Sequence, residues 1–175
     1  MKPPLKQGMS DDFQTPPEAL EPLLSYLKKE WTIWECAEGK GNLTSELYRL
    51  GFSRFGSDLI TGTDFLDKNT VVPVFDCIIT NPPFKYKQQF LKRCYELGKP
   101  FALLLPLTTF ETQKRQELFK KYGLEVIFFD KRINFETPNK IKKSSSWFAT
   151  AWFTWGLNIG KEMTFVELKN YIDIP

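Results

Sequence analysis

A chain of 175 residues with 42% apolar and 15% aromatic content can bury a full core, which excludes a disordered or low-complexity protein. The net charge is only +3 and histidine is absent, so a Ser-His-Asp or Cys-His nucleophile, a histidine-held zinc and an imidazole base are excluded. No apolar run approaches the ~20 residues of a membrane span, and Cys36, Cys77 and Cys94 form no Cys-x-x-Cys pair, so a cytoplasmic protein with no bound metal and no membrane partner is expected.

Residues 1–12 are polar and proline-bearing, without the apolar core of a signal peptide, and read as a loose arm. Phe13-Gln14-Thr15-Pro16-Pro17-Glu18 then carries the grammar of a helix start: Thr15 as N-cap, Pro16 at the first helical position and Glu18 three residues after the cap. The helix is expected to reach about residue 29, with Leu20, Leu23, Leu24 and Leu27 as its apolar stripe and Pro22 as a source of bending. Residues 31–35 form a first strand. They lead through Cys36-Ala37-Glu38-Gly39-Lys40-Gly41 into a helix containing Leu43, Leu47 and Leu50, an arrangement that brings backbone close to a ligand. The three-glycine dinucleotide fingerprint is not met and no Gly-Lys-Ser/Thr follows, so a phosphate-free ligand fits better. A short second strand over residues 54–59 ends in Asp58. It follows Glu35 at close to the ~20-residue interval at which an acid reaches a ribose hydroxyl pair in βαβ folds, although a surface-loop aspartate would look the same. Asp64 and Asp67, around Phe65 and Leu66, are either ligand-facing or turn caps.

The stretch over residues 76–84 is the centre of the chain. Cys77-Ile78-Ile79-Thr80 is a strand buried on both faces, and Pro82-Pro83 stops it abruptly. The stiff corner displays one amide, Asn81, and one ring, Phe84, at the carboxyl end of a central strand, where open α/β sheets bind ligands. An amphipathic helix over residues 87–97 closes at Gly98; a buried strand over 101–106, a charged helix ending at Tyr122-Gly123 and a strand over 124–129 follow. A basic loop over 136–146 leads to a long aromatic strand over 147–155 and an edge strand near 164–168. Strands alternating with helices argue for a doubly wound α/β sheet. Lysine and arginine crowd into 114–121, 131–132 and 140–143, as nucleic-acid phosphates would require, or as a solvated helix face would for the first group.

Asn81-Pro82-Pro83-Phe84 resembles motif IV, the Asn/Asp-Pro-Pro-Tyr/Phe/Trp tetrapeptide of S-adenosylmethionine-dependent amino-methyltransferases, above all those that methylate adenine at N6. The resemblance covers nearly the whole chain. It implies one methyltransferase domain over residues 1–175, with a Rossmann-like seven-stranded sheet, helices on both faces and an antiparallel last strand, and S-adenosylmethionine as cofactor. Thr15-Pro16 is similar to motif X, which contacts the methionine end of the cofactor. The run Glu35, Cys36, Ala37, Glu38, Gly39 and Gly41 resembles motif I, with Glu35 facing the cofactor's amino group and Cys36 standing where many relatives carry proline. By the same resemblance Asp58 and Leu59 would hold the ribose region, and Asp64 and Phe65, in the motif III position, the cofactor's adenine. Asn81, Pro82, Pro83 and Phe84 would be catalytic, with Asn81 also touching the cofactor, while Phe84, Lys85, Arg132, Lys142 and Lys143 would face the substrate. Arg132-Ile133-Asn134-Phe135, the basic loop and the aromatic strand also look like phage and prophage adenine-N6 DNA methyltransferases. The expected substrate is therefore adenine N6 in DNA, ahead of RNA adenine, a protein glutamine, or a non-catalytic cofactor-binding subunit of a modification complex. The length leaves no room for a recognition domain, so specificity is expected to come from short loops or from a partner protein supplying sequence recognition, or to be low.

Overall fold

A computed structural model describes residues 13–135 and 148–169. Seven strands form one sheet: β1 (Thr32–Glu35), β2 (Ser53–Gly56), β3 (Cys77–Thr80), β4 (Phe101–Pro106), β5 (Glu125–Phe129), β6 (Thr150–Trp155) and β7 (Met163–Val166), in the order β2-β1-β3-β4-β6-β5-β7. The first four run parallel, β6 is antiparallel to both β4 and β5, and β7 pairs parallel with β5. The reversed strand is thus the aromatic β6, and the edge strand foreseen near residue 164 extends the sheet beyond β5.

Strand residues alternate between two cores because successive side chains point to opposite faces. Ile33, Cys77, Ile79, Ala102 and Leu104 join the cluster covered by α1 (Asn42–Arg49) and the N-terminal segment. Trp34, Ile78, Phe101, Leu103 and Leu105 join the cluster covered by α2 (Lys87–Leu97) and α3 (Gln113–Tyr122). The sheet is a Rossmann-like layer with helices on both faces. Among the described residues no helix is long and apolar enough to cross a membrane.

The N-terminal helix differs from expectation. Residues 17–26 form two 3-10 turns, Pro17–Ala19 and Glu21–Tyr26, and Pro16 holds the cap position of the first with no side-chain cap bond, so Thr15 is not an N-cap. Pro17 is tolerated as the first residue of a helix, but Pro22 removes an N–H and crowds the Glu18 carbonyl four residues back, which breaks an α-ladder and leaves the tighter turn. β2 stops at Gly56, two residues before Asp58. A further 3-10 turn, Leu107–Glu111, separates β4 from the charged helix α3.

The chain runs outward from β1 to β2 and then crosses back to lay β3 on the other side of β1. The direction of winding therefore reverses beside the carboxyl end of β1, where doubly wound sheets open a crevice.

Candidate functional site

At that switch point β1 ends in Glu35 and turns directly into α1. Gly39 (φ 55°) and Gly41 (φ 81°) carry the turn in left-handed conformations, and a Cβ on Gly39 would lie 2.8 Å from Gln14 Nε2. Glycine is therefore required there both for backbone freedom and for space. Ser57 ties the neighbouring strand to the turn: its N–H donates to Glu35 O (2.9 Å) and its carbonyl accepts from Glu38 N–H (3.0 Å). The Glu38 carboxylate accepts from the Thr44 hydroxyl at 2.6 Å and lies where a Cβ on Gly56 would collide with it.

Three side chains give the hollow its chemistry. Glu35 is only 1% exposed, its Oε1 accepts from Ala37 N–H at 3.0 Å, and burial pushes its carboxyl up to about 8. Desolvation penalises the charged form, Thr80 and the Ala37 N–H offset only part of it, and the Glu38 and Asp58 carboxylates add to the rise. Asp58 accepts from Gly39 N–H through Oδ2 (2.9 Å) and from Ile60 N–H through Oδ1 (2.9 Å), capping a short 3-10 turn while bracing the glycine turn. A carboxylate has about four acceptor positions, so two remain. At the end of β3, Asn81 Nδ2 donates to the Phe13 carbonyl at 2.8 Å, whereas its Oδ1 is buried and has no hydrogen-bond partner among the described residues.

These groups border one cleft of ≈ 410 Å³, within the range of small-molecule sites. Of the residues singled out from sequence, Thr15, Glu35, Ala37, Glu38, Gly39, Asp58, Leu59, Asn81, Pro83 and Lys85 line it. The others lie elsewhere. Cys36 is buried in the core and burial pushes its thiol up; Pro16 and Pro82 are buried. Gly41 faces a second concavity on the far side of Glu38. Asp64 is exposed and accepts from Leu66 N–H at 2.8 Å, an Asx turn, and Phe65 is packed between Trp34 and Phe90. Arg132 is exposed and does not border the cleft. Lys142 and Lys143 lie outside the described residues.

The structure adds Phe13, Gln14, Asn42, Leu43, Ile60 and Tyr86 to the lining. Gln14 is buried and accepts from Lys40 N–H at 3.0 Å, a tie across 26 residues whose only sequence signal is adjacency to Thr15. Phe13 matters more. Phe84, singled out from sequence, is half-buried and does not border the cleft: the Phe13 ring stacks on it (5.7 Å between centroids, 23° between planes), and Phe148 meets it edge-on at 5.3 Å. Phe135 completes a four-ring group beside Asn81.

No family model and no curated protein matches the chain. Solved structures do. One, described as a modification subunit of a type I restriction enzyme from Vibrio vulnificus YJ016, superposes with a TM-score of 0.54 at 13% identity over 86% of this chain; the match spans 45% of that protein's length. A protein described as an RNA methyltransferase from Pyrococcus horikoshii gives 0.47 at 14% identity, over 78% of this chain and 79% of the other. One described as an O-methyltransferase from Agrobacterium tumefaciens gives 0.44 at 11%, over 87% and 84%. With the seven-stranded sheet and its reversed β6, the first of these likenesses gives the chain the Rossmann-like methyltransferase fold.

Proposed function

We propose that the protein is an S-adenosylmethionine-dependent N-methyltransferase acting on the exocyclic N6 amine of adenine in nucleic acid, with DNA as the first substrate to test. The observation that carries this reading is the buried Asn81 Oδ1 at the end of β3, which has no partner among the described residues. A buried acceptor left without a donor costs about 1–3 kcal/mol, and an amine hydrogen from a substrate would recover that cost. The Phe13 carbonyl holds the other end of the same amide, so the oxygen cannot exchange places with the nitrogen without losing a bond.

The cleft residues suit the cofactor. Glu35, protonated in the free protein below about pH 8, would ionise against its ammonium group, Asp58 keeps two acceptor positions for a ribose diol, and Gly39 allows backbone to approach without a Cβ. When bound, S-adenosylmethionine supplies an electrophilic methyl group. Adenine N6 is a weak nucleophile because its lone pair is delocalised into the ring. Asn81 Oδ1 and the Pro82 carbonyl would accept its two hydrogens, draw the nitrogen toward tetrahedral geometry and free the lone pair. Methyl transfer would leave N6 cationic, with Asn81 Oδ1 and the Pro82 carbonyl still holding its hydrogens until one passes to water, so no imidazole base is needed. Positioning and hydrogen bonding of this kind are worth several kcal/mol.

Phe84 is the stacking platform, a contact worth about 1–3 kcal/mol per base. Inserting a base between two rings needs roughly twice the ~3.4 Å stacking repeat of nucleic acid. The 5.7 Å between Phe13 and Phe84 is too short, so the base takes the face of Phe84 by moving the Phe13 ring aside. A paired base must also be flipped out of its duplex. The description of one fold relative as a modification subunit adds weight to a nucleic-acid substrate and to a partner subunit supplying sequence recognition.

Labelled S-adenosylmethionine offered with duplex DNA, single-stranded DNA, RNA and protein tests the reading. Digestion should release N6-methyladenine, and Asn81→Ala should lower transfer by about 10²–10³-fold while cofactor affinity stays nearly intact. Equal loss of binding and transfer would remove Asn81 from its assigned role.

A further inference from the structure

The two edges of the sheet are built differently. β2, at one edge, carries a charge in mid-strand, Arg54, a usual guard against strand addition. β7, at the other, reads Met163-Thr164-Phe165-Val166, with no proline and no charge, and exposes Met163 (59%) and Phe165 (76%). The carbonyls of Glu162 and Val166 accept from Val126 and Asp130 N–H, at 2.8 and 3.0 Å, so the even-numbered residues of β7 spend their backbone groups on β5. The N–H and C=O groups of Met163 and Phe165 therefore point outward along an edge that no other strand covers among the described residues.

We propose that this edge is a two-fold interface between two copies of the chain, in which β7 pairs antiparallel with β7 about an axis at Thr164. The inference does not rest on the methyl-transfer reading. A two-fold antiparallel pairing must place odd residues opposite odd residues, since only those have free backbone groups. Three registers satisfy this near the middle of the strand. The one centred on Thr164 sets Met163 opposite Phe165 and Lys161 opposite Glu167, so apolar meets apolar and each terminal charge meets its opposite. Shifting the axis to residue 163 puts Lys161 against Phe165; shifting it to residue 165 puts Glu167 against Met163. Lys161 and Glu167 are both exposed, and neither takes part in an ion pair among the described residues. Thr164 Oγ is buried with no partner among the described residues. On the axis Thr164 lies opposite its own copy in a non-hydrogen-bonded pair, the closest cross-strand position, where rotation about χ1 would bring the two hydroxyls, each covered in the single chain, within reach of one another. The two seven-stranded sheets would join through the axis into one continuous sheet.

Sedimentation velocity on the full chain, from about 1 µM to about 1 mM, spans the affinities expected of a short strand interface. A species of twice the monomer mass should grow with concentration. Phe165→Lys should abolish it. Lys161→Glu, which sets like charges opposite each other twice per dimer, should weaken association by roughly tenfold, and adding Glu167→Lys should restore it to within about threefold of the parent. That rescue separates pairing from damage to the fold, because neither single change repairs a misfolded strand. A monomer throughout the series, a dimer indifferent to Phe165→Lys, or a double charge reversal that fails to recover would each overturn the proposal.

Discussion

Glu35 is the side chain whose charge depends most on what shares its cleft. Its carboxyl is raised from 4.5 to about 8 by burial, so between those values the folded state holds a proton that the unfolded chain has released. The sign follows: Glu35's contribution to stability is complete below about pH 4.5 and is lost as pH rises through about 8, at up to about 1.4 kcal/mol per pH unit. Glu35→Gln keeps an oxygen for the Ala37 N–H and removes the titration. Urea melts from pH 5 to 8.5 should therefore show the variant gaining on the parent as pH rises, and parallel curves would place the carboxyl elsewhere than in a dry site. Cofactor affinity should move the other way under the proposed function. The parent binds an ammonium group more tightly as pH climbs toward 8, because the charged carboxylate is then cheaper to form, and the glutamine variant loses both the dependence and part of the affinity. Asp58 is coupled differently, through structure. Its two oxygens brace Gly39 and cap Ile60, so Asp58→Ala should weaken cofactor binding and also cost the free protein about 1 kcal/mol of stability, the worth of a lost cap. Calorimetric titration beside thermal melts separates the two losses.

At the scale of elements, the N-terminal segment decides whether the substrate face is open. Trp152 Nε1 donates to Ala19 O at 2.7 Å, which anchors the 3-10 turns to the reversed strand and sets Phe13 against Phe84. Phe13→Ala should cost roughly 0.5–1.5 kcal/mol of stability for the lost ring contacts and lower the KM for nucleic acid by uncovering Phe84, with a smaller effect on cofactor affinity through its place in the cleft lining. A raised KM would make Phe13 part of the base-binding wall instead. None of this was legible in the sequence. The Thr15–Glu18 pattern is the same whether an α-helix or a 3-10 turn follows, and the tie from residue 152 to residue 19 is invisible without the fold. The glycine turn after β1 and the proline corner after β3 were legible because each local sequence permits few backbone paths. Asp64 and Phe65 show the opposite case. An acid followed by an aromatic suits a ligand, yet here a neighbouring backbone N–H takes the acid and Trp34 and Phe90 take the ring.

In the molecule as a whole, the cleft draws on the carboxyl ends of β1 and β3, the segment after β2 and the strap around Phe13, so a ligand there touches pieces that sequence keeps far apart. The alternation of strands and helices was enough to foresee the layered sheet. The position of the crevice followed from the reversal of winding at β1, which a linear pattern does not display. Because the lining is contributed by separate segments, binding should stabilise the global fold rather than one loop. A ligand at about 100 times its Kd adds about 2.7 kcal/mol, and in a chain of this size each kcal/mol moves Tm by roughly 2–4 °C. S-adenosylmethionine or its demethylated product should therefore raise Tm by roughly 5–10 °C. Asn81→Ala should keep that rise and Asp58→Ala should lose most of it, since the first is assigned to the amine and the second to the ribose. If both variants keep the full shift, the ligand is held away from Asp58. If the parent itself shows none, the cleft at the switch point does not take this cofactor, and the methyltransferase fold is serving another ligand.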